Sequence, residues 1–378
     1  MKVDFYTPKR EYNEKKQEFN KAIKNVLEKG NFILGEEVSE FERAIEKYTG
    51  AKHAIAVASG TDALVISSDV LGFKNGKEVI TSPFTFLAST SCLAKHNAKP
   101  VFVDIDEDTF NIDADKIEEK ITSNTKGILP IHLFSQMSDM DKIMDLASKY
   151  NLSVLEDAAE AFGMRWKGNN NTTYKHSGTL GDLGVFSFFP TKTLGGYGDG
   201  GMIVTNNSHL AEKVKMFRVH GASQKYHYDY IGYNSRLDTI QASLLLVKLK
   251  YIDNSITKRN IVSNWYKERL EDLPYIKIPE LKNDQKPVYY VFNILAEKRD
   301  ELCAYLKEKE ISCSIYYPIP LHLQKCFSYL GHKKGDFPVS EKISKEILAL
   351  PIYPEISEEE IDFVCDTIKS ISSSDISG

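Results

Sequence analysis

The chain has 378 residues, 42% hydrophobic and 27% charged, with a formal net charge of −5, enough for a large domain and a smaller one around sizeable cores. That charge, without a long basic tract, gives no electrostatic reason to expect nucleic acid; no apolar run has the length of a membrane span, and the charged opening MKVDFYTPKREYNEKKQEF contains no apolar leader region. The cysteines (Cys92, Cys303, Cys313, Cys326, Cys365) are odd in number and form no C-x-x-C pair, which argues against a disulfide framework or a cysteine zinc site and for a reducing, cytoplasmic setting.

Short β-branched and aromatic runs predict strands at 53–59, 78–86, 100–105, 127–134, 152–159, 185–190 and 201–206, with amphipathic helical stretches such as 61–72 and 139–151 between them. Strands apolar throughout and separated by helices imply a largely parallel sheet covered on both faces, an α/β architecture that binds ligands beyond the carboxyl ends of its strands. After about residue 235 the pattern changes to a long helical segment (238–273), a strand (288–296), a helix (299–310), a strand (312–319) and helices at 338–349 and 357–370. This gives a large domain over 1–240, with an N-terminal helical segment, and a small C-terminal α+β domain over 241–378. The polar end SISSSDISG is expected to fray.

Several polar residues close these runs. ASGTDAL (58–64) leads small residues into a helix, with Ser59 or Thr61 as cap; free N–H groups at such a start suit an anion. SPFTFLAS (82–89) carries Phe84 and Phe86, which read first as core; a role as a face for a flat ligand needs support from outside this stretch. In VLEDAAEAFG (154–163), Asp157 ends a buried strand, either as a helix cap or as a carboxylate buried to hold a cation.

The run VFSFFPTKTLGGYGDGGMIVTN (185–206) sets Lys192 after Phe186, Phe188, Phe189 and Pro190, a context expected to strip water from an ammonium. Gly196, Gly198 and Gly201 match G-x-G-x-x-G, but they lead into a strand instead of opening a helix, so they do not read as a dinucleotide fingerprint. A flat, phosphorylated, cationic ring held by a lysine accounts for all of these features, and pyridoxal phosphate is such a ligand. His132 and His220 read as local hydrogen-bonding residues, and no side-chain cluster has metal-ligand spacing.

EDAAEAFG, SFFPTKTLGGYGDGG and GYNSRLDTIQASLL (232–245) resemble the signatures of the DegT/DnrJ/EryC1/StrS sugar aminotransferases, and the resemblance runs from GNFILGEEVSEFE to KISKEILALPIYPEIS. It implies the fold type I, aspartate-aminotransferase-like architecture, with a mostly parallel seven-stranded sheet, and pyridoxal 5'-phosphate as cofactor. By this resemblance Lys192 is the covalent attachment point and proton carrier, Asp157 pairs with the ring nitrogen, and Phe86 lies against the ring. Ser187 and the backbone at Gly60 and Thr61 hold the phosphate, and Asn234 reaches the phosphate of the neighbouring subunit in a homodimer with shared sites. Tyr316, Tyr317 and His322 lie near the sugar, and Arg236 either meets a sugar carboxylate or is structural. One residue departs from the family pattern: Glu160 stands where a glutamine usually bonds the phenolic oxygen, so it either holds a proton or points elsewhere.

The implied reaction moves an amino group from L-glutamate to a nucleotide-linked ketosugar. NSRLD (234–238) resembles the enzymes that act at C-3, above all on UDP-linked 2-acetamido-3-keto sugars, hexose or hexuronic acid, for cell-surface polysaccharide or lipopolysaccharide. A dTDP-linked 3-keto-6-deoxyhexose and a 4-ketosugar are the alternatives. An NAD-dependent oxidoreductase would rest on the glycine match alone, and a non-catalytic relative would be expected to lose Lys192 or Asp157.

Overall fold

The computed structural model describes residues 1–168 and 173–371; from residue 372 on, the end expected to fray lies outside the described residues. The apolar runs form strands β1 (His53–Val57), β2 (Glu78–Thr81), β3 (Lys99–Phe102), β4 (Thr125–Ile128), β5 (Ser153–Asp157), β6 (Leu183–Ser187) and β7 (Gly201–Thr205). They make one sheet in the order β1-β7-β6-β5-β4-β2-β3. Its pairings are parallel except those of β7, which runs antiparallel to both β1 and β6.

Alternation divides each strand between two cores: in β1, Ile55 and Val57 enter one, Ala54 and Ala56 the other. The helices covering the sheet are α2 (Glu36–Thr49), α3 (Gly60–Val70), α4 (Leu87–Ala94), α5 (Met140–Tyr150), α6 (Ser208–Phe217) and α7 (Thr239–Leu249), with α1 (Pro8–Lys29) packed on the outside of α7. In α2 the buried residues Val38, Phe41, Ile45 and Thr49 recur at helical spacing, and Gly50, at φ 80°, ends the helix.

A second sheet of β8 (Ile276–Lys277), β9 (Phe292–Ala296) and β10 (Ile347–Leu350) is antiparallel. It is packed by α8 (Ile252–Leu270), α9 (Arg299–Glu308) and α11 (Glu358–Ser370), while α10 (Pro338–Glu346) precedes β10. Val3 is buried in this same core, its amide bonded to Glu310 and its carbonyl to Ser312.

Several elements differ from expectation. The helix expected over 238–273 is two helices: α7 packs on α1 and α2, α8 on α11, and the chain changes cores at Lys250 and Tyr251. The expected domain boundary after residue 240 therefore falls in the first turn of α7. The helix expected at 338–349 stops at Glu346, because the next four residues, Ile347–Leu350, are all buried and serve a strand. Segment 312–319 forms no extended strand: it meets Ala349 through a bridge at Ser314 and Val3 through the Ser312 amide. Residues 78–86 leave the sheet early, before Pro83, which has no N–H to donate to a ladder, whereas 127–134 breaks its ladder around Pro130 and pairs again with the end of β5 through a bridge from Ile131 to Asp157.

Candidate active site

A cavity of about 420 Å³ opens at the carboxyl ends of β5 and β6 and the start of α3. Asp157, last residue of β5 and 3% exposed, accepts hydrogen bonds from Ser89 Oγ at 2.7 Å and from the Ala159 amide at 3.1 Å. Thr85 Oγ1 lies 2.9 Å from Ser89 Oγ, so the start of α4 orients this carboxylate. Burial pushes the Asp157 carboxyl above its ordinary range, against the Ser89 hydrogen bond and the charge of Lys192.

Lys192 follows β6 on a loop closed by hydrogen bonds from Phe188 N to Gly200 O and from Gly196 N to Phe188 O. Phe186 and Phe188 anchor that loop in the core instead of drying the lysine; strand alternation sends both to the face away from it. Tyr290 covers the ammonium, with its ring centroid 4.2 Å from Nζ. Lys192 Nζ also lies 3.4 Å from Glu160 Oε1, and Tyr317 OH donates to that oxygen at 3.2 Å. Burial opposes the ammonium, but Glu160, Tyr290 and Asp157 outweigh it and hold Lys192 above its ordinary value.

At the opposite end, α3 begins on Ser59, whose Oγ takes the Asp62 amide at 3.0 Å and whose carbonyl takes that of Ala63. The amides of Gly60 and Thr61 precede the first intrahelical bonds, as a helix start requires, and both residues line the cavity with Ser187. A Cβ on Gly60 would come within 2.7 Å of Ser187 Cβ, and one on Gly201 within 2.2 Å of the Ser59 carbonyl oxygen. The glycines thus allow close approach of backbones where the start of α3 meets the end of β6.

Gly60, Thr61, Phe86, Asp157, Glu160, Ser187, Lys192, Tyr316 and Tyr317 all line the cavity. Asn234 and Arg236 do not; they lie outside it and hydrogen-bond each other, Arg236 donating. His322 is likewise not brought to the cavity: it is 2% exposed, its Nε2 lies 3.0 Å from Glu341 Oε1, and its ring packs edge-on against Phe337. The expectation of a sugar contact by His322 therefore does not fit its position, because the turn after Pro320 directs the ring toward α10. His132 pairs with buried Glu156, which also accepts from the amides of Gly178, Leu180 and Gly181, a brace for the crossover into β6. Ser89 and Tyr290 had no role in the sequence reading; nothing local marks them, since only folding sets them against Asp157 and Lys192. Among the described residues no His, Cys, Asp and Glu group is placed to hold a metal, and no helix is long and apolar enough to cross a membrane.

The donor set suits pyridoxal phosphate: an amine, a buried carboxylate in the same cavity, a helix start for phosphate, and Glu160 Oε2 buried without a partner. Fold and site together define a fold type I, pyridoxal-phosphate-dependent aminotransferase. The chain belongs to the DegT/DnrJ/EryC1/StrS aminotransferase family, whose model matches residues 13–369.

It is 43% identical over 370 residues to the "pleiotropic regulatory protein" of Geobacillus stearothermophilus, covering 97% of this chain and 98% of that one. It is 41% identical to the dTDP-3-amino-3,6-dideoxy-alpha-D-galactopyranose transaminase of Aneurinibacillus thermoaerophilus, over 93% of this chain and 94% of that one. Identity to the UDP-2-acetamido-2-deoxy-3-oxo-D-glucuronate aminotransferase of Pseudomonas aeruginosa is 38%, over 96% and 98% of the two chains. Among solved structures, S. venezuelae DesV in complex with a ketimine intermediate superposes with a TM-score of 0.93 at 36% identity, over 97% of this chain and 98% of that one. NtdA from Bacillus subtilis, solved with bound cofactor PMP, does so at 0.88 and 34%, over 97% and 84%.

Proposed function

We propose that the protein transfers an amino group from L-glutamate to C-3 of a nucleotide-linked 3-ketosugar, with a UDP-linked 2-acetamido-3-keto sugar as acceptor. The observation that carries the chemistry is the placing of Lys192 and Asp157 in one cavity with the start of α3. Both transaminases named above are named for a sugar with an amino or oxo group at its third carbon, which supports this position of transfer. The P. aeruginosa relative supports the UDP carrier; the A. thermoaerophilus one favours a second reading, a dTDP-linked 3-keto-6-deoxyhexose.

Pyridoxal phosphate, when bound, supplies an aldehyde for the lysine and a ring that takes up electrons. Asp157 holds a proton at the ring nitrogen, keeping the ring cationic. Lys192, once displaced by the donor amine, takes the proton from the donor carbon and returns it two atoms along, on the far side of the transferred nitrogen; the sugar half runs the same transfer in reverse. Tyr290 and Phe86 flank this space, the amides of Gly60 and Thr61 with Ser187 take the phosphate, and Tyr316 and Tyr317 face the sugar side. Asn234 and Arg236, outside this chain's cavity, are assigned to a second copy's site. Tyr226, Tyr228, Tyr230 and Ile231 (Ile231 is 95% exposed) leave large aromatic and apolar side chains at the surface, which supports such pairing.

The test starts from the visible spectrum of the protein with pyridoxal phosphate, followed by borohydride and peptide mapping. The expected result is a yellow band, bleached on reduction, with cofactor on the peptide containing Lys192; cofactor on another lysine overturns the assignment. UDP- and dTDP-linked 3- and 4-ketosugars with glutamate as donor then read out the acceptor, and turnover of 4-ketosugars alone overturns the position.

A further inference from the structure

Glu160 is buried in the cavity wall, three residues after Asp157. Its Oε1 has two neighbours, Lys192 Nζ at 3.4 Å and Tyr317 OH at 3.2 Å, while its Oε2 is buried with none. A buried carboxylate oxygen without a partner is costly, so the wall is incomplete on that side. The chemistry of the cofactor indicates what completes it. In pyridoxal phosphate the aldehyde carbon lies between the phenolic oxygen and the carbon bearing the phosphate arm, with the ring nitrogen across the ring. With the nitrogen at Asp157 and the phosphate at the start of α3, the flank beside Lys192 that is left to Glu160 is the phenolic one.

We propose that Glu160 exchanges both partner and proton when the cofactor is loaded: in the cofactor-free protein it is the ionised partner of the Lys192 ammonium, and in the loaded enzyme it is a neutral acid whose O–H donates to the phenolic oxygen. This rests on the reading of Lys192 as the residue that bonds the cofactor. In the cofactor-free protein burial, helped by the Asp157 carboxylate, pushes the Glu160 carboxyl above its ordinary value, while the Lys192 ammonium 3.4 Å away and the Tyr317 hydroxyl work in favour of the carboxylate. Tyr290, Tyr316 and Asp199 complete the ionisable lining of the cavity. Loading forms a C=N bond from Nζ to the aldehyde carbon, and the aldehyde oxygen leaves as water with two of the three ammonium hydrogens; the third stays on nitrogen. The carboxylate then faces an electron-rich oxygen in place of a freely placed ammonium, and a proton from solvent turns repulsion into a hydrogen bond. Glu160 thereby acts as a positioning residue that supplies the donor an amide would supply.

The test is calorimetric titration of cofactor-free protein with pyridoxal phosphate in two buffers of different ionisation enthalpy, alongside the visible spectrum, for wild type and Glu160→Gln. The expected result is one visible band position for both proteins, with wild type taking up about one proton per site more than the variant at neutral pH. Equal proton counts, with cofactor mapped to Lys192 in both, overturn the proposal while leaving the lysine assignment intact. Cofactor absent from Lys192 overturns the assignment beneath it instead. Should Glu160→Gln fail to fold, difference infrared spectra of wild type decide: a protonated carboxyl stretch gained on loading is expected, and its absence is contrary.

Discussion

Asp157 carries two costs that its substitution separates. In its proposed role it holds the ring nitrogen proton, so Asp157→Asn is expected to lower kcat at least about 100-fold, on the order of 3 kcal/mol of transition-state stabilisation. In the cofactor-free protein the same carboxyl is buried and its pKa is raised above the ordinary 3.8. The folded chain then binds more protons than the unfolded one, so this group's contribution to stability falls as pH rises from 3.8 through the raised value. Asparagine keeps the acceptor for Ser89 without the charge. Urea unfolding of cofactor-free Asp157→Asn across that window is expected to show a flatter pH dependence than wild type. Lys192→Ala, by contrast, is expected to abolish both the visible band and turnover, read by spectrum and product assay.

The crossover between β5 and β6 shows how an element holds the site. His176, 1% exposed, donates from Nδ1 to the Ser177 carbonyl at 2.7 Å and accepts the Gly163 amide on Nε2 at 2.9 Å. Protonation would cost it that acceptor, and burial lowers its pKa from 6.5 to about 4. A depressed histidine binds fewer protons folded than unfolded, so its contribution is complete above 6.5 and lost as pH falls toward about 4. The size is about 3 kcal/mol at most. Denaturation midpoints between those pH values are expected to fall more steeply for wild type than for His176→Asn. The start of α3 depends on close approach: Gly60→Ala sets a Cβ 2.7 Å from Ser187 Cβ, an overpacking of about 1–3 kcal/mol. Equilibrium titration with pyridoxal phosphate is expected to show weakened binding, because the shift moves the amides proposed to take the phosphate.

For the molecule as a whole, the proposed sharing of sites between two copies is tested by mixing. Lys192→Ala and Asn234→Ala are each expected to be nearly inactive alone. Unfolded and refolded together, they are expected to regain turnover, since a mixed pair holds one site free of both changes. No gain, with dimers present by light scattering, would place Asn234 in its own chain's business and refute the sharing.

The alternation of apolar runs and helices made the main sheet legible in the sequence, because strands buried on both faces must be apolar at every position. Lys192, Asp157 and the Gly60–Thr61 turn were also marked by residue type beside glycines and strand ends, and Ser187 by family resemblance; the structure brings all of them to one cavity. The run Ile347–Leu350 was not legible, since four apolar residues suit a helix or a strand until a neighbouring strand supplies hydrogen bonds. Tyr290 over Lys192, Ser89 against Asp157 and the Glu160–Tyr317 contact were decided only in three dimensions. They join residues about 70 to 160 positions apart, and no local pattern records such a meeting. His322 shows the same limit from the other side: its motif suggested the sugar, and a turn of the backbone gave it to Glu341. The sequence by itself therefore determined the sheet, the lysine and the aspartate, whose signals are local in chain and composition. Tertiary structure decided which side chains surround them, because burial and partner are properties of packing between distant elements.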